Sequence, residues 1–301
     1  SCRTLPTSFR SVKTPHGPIW AAPVDAAHFF CYPISKGRNR TTEQNTNMFP
    51  PACPAGFREH CGDDVISATR RQLATLRSLA TRKGRRETGW FPVEGVRLCR
   101  ELAESSLDVP MVLVSEEQAE TPEVREIAAR LAQRGSVQLC APARQVERVS
   151  DTVHSQGIVA AAEWREVARE EIELSQTTRL LALDGISDPG NVGTIIRTAD
   201  WFGVGAVLLG DGCADPLNPK TVRATMGGLF HLPICRQLDL PDTLMRIKEK
   251  GFQIIAAGLG GDTDWRSPRT TSRLCLLLGS EAHGLAPEVA QVADRTVTIP
   301  G

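Results

Sequence analysis

Apolar positions first fall into a regular rhythm near residue 64. Val65, Ile66, Leu73, Leu76, Leu79 and Ala80 recur at helical spacing up to a basic run, which predicts one long helix there. Beyond it the pattern predicts a helix at 93–104, a strand at 111–114, a helix near 122–134, and strands at 137–140 and 157–161. That alternation describes a small α/β domain over 64–162. A charged stretch, 163–178, carries no strong apolar stripe and reads as a linker. The buried-strand run Leu180-Leu181-Ala182-Leu183 opens a second series: helix 191–202, strand 206–209, helices near 218–226 and 241–250, and strands at 253–257, 274–278 and 296–299. Strand and helix alternating over 179–301 imply a mostly parallel sheet with helices on both faces, which binds ligands beyond the carboxyl ends of its strands. Residues 1–63 scatter Pro, Ser, Thr, Asn and Cys without any period and read as an irregular extension.

Composition narrows the class. Apolar residues make up 41% and charged residues 23%, which excludes collagen-like, coiled-coil and wholly disordered chains. Acids and bases cancel at 35 each, so there is no whole-molecule basic field. The cancellation hides a local run: Arg70, Arg71, Arg77, Arg82, Lys83, Arg85 and Arg86 follow one another without an acid between them. Such a run fits a solvated helix face or a phosphate-tracking surface equally well. Nine cysteines with no Cys-x-x-Cys pair suggest neither a disulfide framework nor a zinc ribbon, and point to a reducing compartment. Cys99, Cys140, Cys235 and Cys275 sit in apolar runs and read as small buried hydrophobes. His28, Cys31, Cys53, His60 and Cys61 match no familiar ligand spacing, so no metal is expected. No apolar stretch reaches the ~20 residues of a membrane span and no export signal opens the chain. The expected location is cytoplasmic, or organellar if the bases before Met48 (Arg3, Arg10, Lys13, Lys36, Arg38, Arg40) belong to a transit segment.

Two loops carry candidate chemistry. In the first, Asp188-Pro189-Gly190 supplies a turn, Asn191 falls where an N-cap is expected, and Arg197 follows six residues on. Gly193 in the first helical turn costs roughly 1 kcal/mol relative to Ala, a cost that makes sense where another group approaches closely. In the second, Gly279-Ser280-Glu281-Ala282-His283-Gly284-Leu285, two glycines bracket a carboxylate at a strand's carboxyl end. No Gly-x-Gly-x-x-Gly follows a strand, so the ordinary dinucleotide fingerprint is missing.

Four fragments in order resemble the SpoU-type (TrmH-like) RNA ribose 2′-O-methyltransferases of the SPOUT superfamily. They are Asn191-x-Gly193-x-x-x-Arg197-Thr198-Ala199, Asn218-Pro219-Lys220-x-x-Arg223-Ala224-Thr225-x-Gly227, Leu278-Gly279-Ser280-Glu281-x-x-Gly284-Leu285 and Ile299-Pro300. The earlier region is similar to the family's substrate-binding domain in Lys83-Gly84-Arg85-Arg86-Glu87, Val93-Glu94-Gly95, Ser150-Asp151-Thr152 and Gln156-Gly157-Ile158. The resemblance implies an α/β, trefoil-knotted methyltransferase domain preceded by a small L30e-like domain. It also implies S-adenosyl-L-methionine as cofactor, a homodimer with its site at the subunit contact, and RNA as substrate. Ribosomal RNA is expected in preference to transfer RNA, since an appended L30e-like domain suits a large folded RNA. By the same resemblance Asn191, Arg197 and Glu281 serve catalysis, with Arg197 at the target nucleotide. Gly258, Gly279 and Ile299 cradle the cofactor, and Arg82, Lys83, Arg85, Arg86 and Arg223 hold RNA. The alternative is a non-catalytic RNA-binding protein on the same scaffold. Family members continue after Ile-Pro with a Ser-Leu-Asn-Val segment that holds part of the cofactor. The sequence given stops at Gly301, and weak cofactor binding is expected of that stretch alone.

Overall fold

The single helix expected from residue 64 is divided by its own polar residues. In the computed structural model, which describes residues 66–152, 154–168, 170, 172, 177–262 and 272–298, Ile66–Ser67 is a short strand (β1) paired in parallel with Leu139 and Cys140. Thr69 then starts helix α1 (Arg70–Ser78) in a capping box: its hydroxyl accepts the Gln72 N–H while the Gln72 side chain accepts the Thr69 N–H. Thr81 caps a second helix, α2 (Arg82–Thr88), by accepting the Gly84 N–H. The basic run therefore lies on two short helices.

A second difference follows at once. The helix expected at 93–104 begins only at Val96, as α3 (Val96–Glu104), because Trp90–Glu94 is a strand, β2. Pro92 obscures it in sequence, and the structure shows why it is tolerated: β2 lies at the sheet edge, where a missing N–H costs no ladder bond. The unit continues with β3 (Met111–Ser115), α4 (Pro122–Gln133), β4 (Val137–Ala141), an unanticipated helix α5 (Ala143–Val149) and β5 (Ile158–Glu163). Its five strands run in the order β1-β4-β3-β5-β2, with β5 antiparallel to both neighbours.

The second series is built as its pattern predicts. It contains β6 (Arg179–Asp184), α6 (Pro189–Trp201), β7 (Ala206–Gly210), α7 (Pro219–Thr225), β8 (Ile234–Leu238), α8 (Leu240–Glu249), β9 (Gln253–Asp262), β10 (Leu274–Gly279), α9 (Pro287–Ala290) and β11 (Arg295–Val297). Strand β8 and helix α9 were not anticipated. The six strands, ordered β11-β9-β10-β6-β7-β8, pair in parallel throughout. Both faces are buried, as near-continuous apolar strands require. Leu181, Leu183, Val207 and Leu209 face one cluster with Ile196 of α6, while Leu180, Ala182, Ala206 and Leu208 face another with Leu244 and Ile247 of α8.

The first of those clusters runs on into the other sheet. Phe91, Val93, Leu98 and Ile158 belong to it together with Leu181, Ile196 and Phe230, and the rings of Phe91 and Phe230 lie 6.3 Å apart. Cys99, Cys140, Cys235 and Cys275 are buried as expected, and burial pushes the Cys99 and Cys275 thiols up to about 12. Among the described residues no helix is long and apolar enough to cross a membrane, and no group of three metal-ligating side chains assembles. His28, Cys31, Cys53, His60, Cys61 and Ile299 lie outside the described residues.

Candidate active site at the carboxyl edge of the parallel sheet

Chain order reverses between β6 and β10: from β6 the sheet grows through β7 and β8, then the chain crosses back to β9, beyond β10. Loops leaving two such strands diverge and open a crevice, the position where open parallel sheets bind ligands. Both candidate loops leave from this point. Asp184 pairs with Gly279, and Gly258 follows Ala257, the partner of Leu278, so three adjacent strands bring Asp184, Gly279 and Gly258 into one row.

Helix α6 is capped one turn earlier than its sequence suggested. Asp188, not Asn191, is the N-cap: its Oδ1 accepts the Asn191 N–H at 2.9 Å, and Pro189 fills the first helical position, where its fixed φ is preorganised. The Asn191 side chain is thereby released, and its Nδ2 donates to Glu281 Oε1 at 2.8 Å across 90 residues of sequence. The other Asp188 oxygen accepts from Lys220 Nζ at 2.9 Å. That hydrogen bond, with the N–H groups of Asn191 and Gly190, holds the Asp188 carboxyl below the ordinary carboxylate range. Because the folded value is depressed, this contribution to stability is present above the ordinary carboxylate pKa and disappears as pH falls through the folded value. Substituting Lys220→Met is expected to move the Asp188 titration upward toward its ordinary value, read by carboxyl NMR; an unmoved titration would show that the backbone donors alone set it.

Gly193 is the close approach its sequence position suggested. A Cβ there would lie 2.5 Å from Ala224 Cβ and 2.6 Å from the Thr221 carbonyl oxygen, both on α7. The turn after β10 is equally tight: Ser280 and Gly284 exchange backbone hydrogen bonds at 2.9 and 2.8 Å, and a Cβ on Gly279 would meet Gly284 carbonyl atoms at 2.5 Å.

Arg197 is not brought to the Asn191–Glu281 pair. Six residues along α6 place it about 9 Å further up the helix and about 120° around it. It is exposed, and its guanidinium has no ion pair or hydrogen bond among the described residues.

The five residues expected to hold RNA separate into different environments. Arg82 and Arg86 are exposed, and Lys83 faces Glu87 at 3.8 Å. Arg85 corrects the expectation: it is 5% exposed, donates Nη2 to Asp215 Oδ2 at 2.8 Å and Nη1 to the Leu79 carbonyl at 3.0 Å, and cannot meet a solvent-side phosphate. Arg223 departs from it as well, donating to Asp151 Oδ2 at 3.1 Å and lying 4.0 Å from Glu94. Glu94 is itself buried, accepting from Ser150 Oγ at 2.8 Å and the Asp151 N–H at 2.9 Å. The Val-Glu-Gly and Ser-Asp-Thr fragments of the first unit thus converge on an arginine of the second. They build the junction between the sheets, a role that periodicity and spacing could not reveal.

The chain is similar to known proteins along most of its length. Residues 178–301 match the SpoU rRNA Methylase family and residues 71–160 match the MRM3-like substrate binding domain. The chain is 30% identical over 236 residues to the 23S rRNA (guanosine(2553)-2′-O)-methyltransferase RlmP of Bacillus subtilis, covering 78% of this chain and 90% of that protein. An AdoMet-bound rRNA methyltransferase from Sinorhizobium meliloti superposes with a TM-score of 0.69 at 30% identity, over 79% of this chain and 88% of that one. A TrmH-family structure from Porphyromonas gingivalis gives a TM-score of 0.64 at 30% identity, over 78% and 90% of the two chains. The chain belongs to the SpoU rRNA methylase family, within the SPOUT superfamily of RNA methyltransferases.

Proposed function

We propose that the protein transfers the methyl group of S-adenosyl-L-methionine to a ribose 2′-hydroxyl of ribosomal RNA. The observation that carries this reading is the Asn191–Glu281 hydrogen bond at the point where chain order reverses, beside the Gly258–Gly279 row. The donor set there fits the cofactor. Gly279 ends β10 and Gly258 lies beside it within β9, so backbone groups of both strands are presented there, and Leu259 next to them is 96% exposed, an uncovered apolar face for a purine ring. Gly258 and Gly279 would hold the cofactor, which supplies an electrophilic sulfonium methyl when bound.

The residues of this chain then have mainly positioning to do, since a hydroxyl must be held in line with the methyl for displacement. Asn191 fixes the Glu281 carboxylate over the edge of the sheet. Arg197, permanently charged and thus unsuited to act as a base, orients the phosphate and hydroxyl of the target nucleotide. Its distance from the Asn191–Glu281 pair suits a site completed by a second copy of the chain. Trp201 and Phe202 on the same helix end, 85% and 65% exposed, support such a contact.

Titrating adenosylmethionine into the full-length protein by calorimetry, and then assaying ribosomal RNA for new ribose 2′-O-methyl groups, tests the reading. Saturable binding followed by methylation is expected. A folded protein that binds RNA but not the cofactor would overturn it in favour of the non-catalytic binding protein.

A further inference from the structure

Between the two sheets lies a cleft of about 630 Å³. Its walls are α2, Trp164, Arg236 of β8, the end of β7 and the 211–217 loop that follows it. The loop joins it to the candidate active site: the Ala214 N–H donates to the Ile186 carbonyl at 2.9 Å, and Cys213 Sγ lies 3.2 Å from the Leu183 carbonyl oxygen, on the segment leading to Asn191.

The arginines around this cleft are of two kinds. Arg85 is neutralised by Asp215 at 2.8 Å, and Arg236 by Glu166 at 3.1 Å and Asp215 at 3.4 Å. Arg82 and Arg86 also line the cleft, one helical turn apart on one face of α2, and have no partner among the described residues. Asp211 on the rim offsets one of these two charges and leaves the cleft positive. Lys83, on the same helix, does not line it. The Trp164 ring already carries the Arg236 guanidinium at 5.6 Å and lies 6.1 Å from Phe91 in a T-shaped contact, so part of its surface is taken within the protein.

We infer that this cleft holds an unpaired RNA strand by its backbone, with phosphates on Arg82 and Arg86, and leads it along the 211–217 loop toward the methyl-transfer site. The inference rests on the RNA methyltransferase reading above. The cleft falls in the roughly 300–1,000 Å³ class that takes small ligands, room for a nucleotide or two and not for a duplex. Guanidinium groups pair with phosphate bidentately, and unpaired strands are the form of RNA whose backbone can enter a crevice.

Fluorescence anisotropy with a labelled short oligouridine, against a hairpin duplex, tests this at several salt concentrations. The double variant R82A/R86A is expected to weaken binding of the single strand and to flatten the log–log salt slope by about 1.4, two contacts at about 0.7 each. K83A should leave both unchanged, because Lys83 lies outside the cleft. An unchanged slope in R82A/R86A, an equal loss in K83A, or hairpin binding as tight as that of the strand overturns the inference. Both arginines are exposed, so the variants are expected to fold. Calorimetry with adenosylmethionine on the same proteins keeps the two readings apart. Cofactor binding with an unchanged slope removes the cleft alone. Absent cofactor binding removes methyl transfer and leaves the RNA titration to decide the cleft.

Discussion

Replacing Arg197 by alanine is expected to lower methyl transfer about 10²–10³-fold while leaving adenosylmethionine affinity unchanged. The magnitude is that of deleting one preorganised cationic donor from a site where charge is redistributed in the transition state. The split between the two readouts comes from geometry. Arg197 stands two turns along α6 from its cap and makes no hydrogen bond or ion pair to those strands or to the turn after β10 among the described residues. Its exposed, unpaired side chain also makes a structural collapse on removal improbable on physical grounds, so loss of activity would report on chemistry. Single-turnover transfer rates alongside calorimetry check it, and a parallel fall in cofactor affinity would remove Arg197 from the nucleotide and assign it to the cofactor pocket.

The second large effect is on stability, and its sign is diagnostic. In an open helix, Gly→Ala stabilises by about 1 kcal/mol. At Gly193 the added methyl would sit 2.5 Å from Ala224 Cβ and 2.6 Å from the Thr221 carbonyl, and a backbone oxygen cannot rotate away. Helices α6 and α7 must separate, and overpacking of this kind costs roughly 1–3 kcal/mol, which more than cancels the helical gain. Gly193→Ala should therefore melt several degrees below the parent protein, and adding Ala224→Gly should restore only part of the loss because the Thr221 clash persists. A melting temperature equal to or above that of the parent would show that the two helices are not packed this closely. The same separation moves Lys220 away from Asp188, so activity should fall together with stability.

The parallel sheet was legible in the sequence because its central strands are short apolar runs, and Leu180–Leu183 and Leu274–Leu278 contain nothing else. Elements with mixed signals were harder to read. Trp90–Glu94 carries a proline that only an edge strand tolerates, and β8 alternates into Arg236 and Gln237 after two apolar residues. Asn191, Gly193 and Glu281 were visible as polar or glycine residues in the segments that follow apolar strands, whereas the true cap, Asp188, was hidden within a turn signal. The basic run shows the limit most clearly. Seven bases close together look alike as letters, yet Arg85 is buried on Asp215, Lys83 turns to Glu87, and Arg82 and Arg86 line the cleft without an acid partner among the described residues. For Arg85 the deciding partner is 130 residues away.

That long-range pairing ties the thermodynamics of the two sheets together. Phe91 and Phe230 share one apolar cluster, and Arg85 and Arg223 each reach an acid across the junction. Unfolding either sheet alone would uncover the apolar face of the other and leave Arg85 or Arg223 without its acid across the junction. A partly unfolded molecule thus pays at the junction for contacts it no longer makes, and its population is suppressed relative to both end states. The protein gains from this a cooperativity that neither sheet could supply by itself, so damage to a strand of one is felt as lost stability in the other.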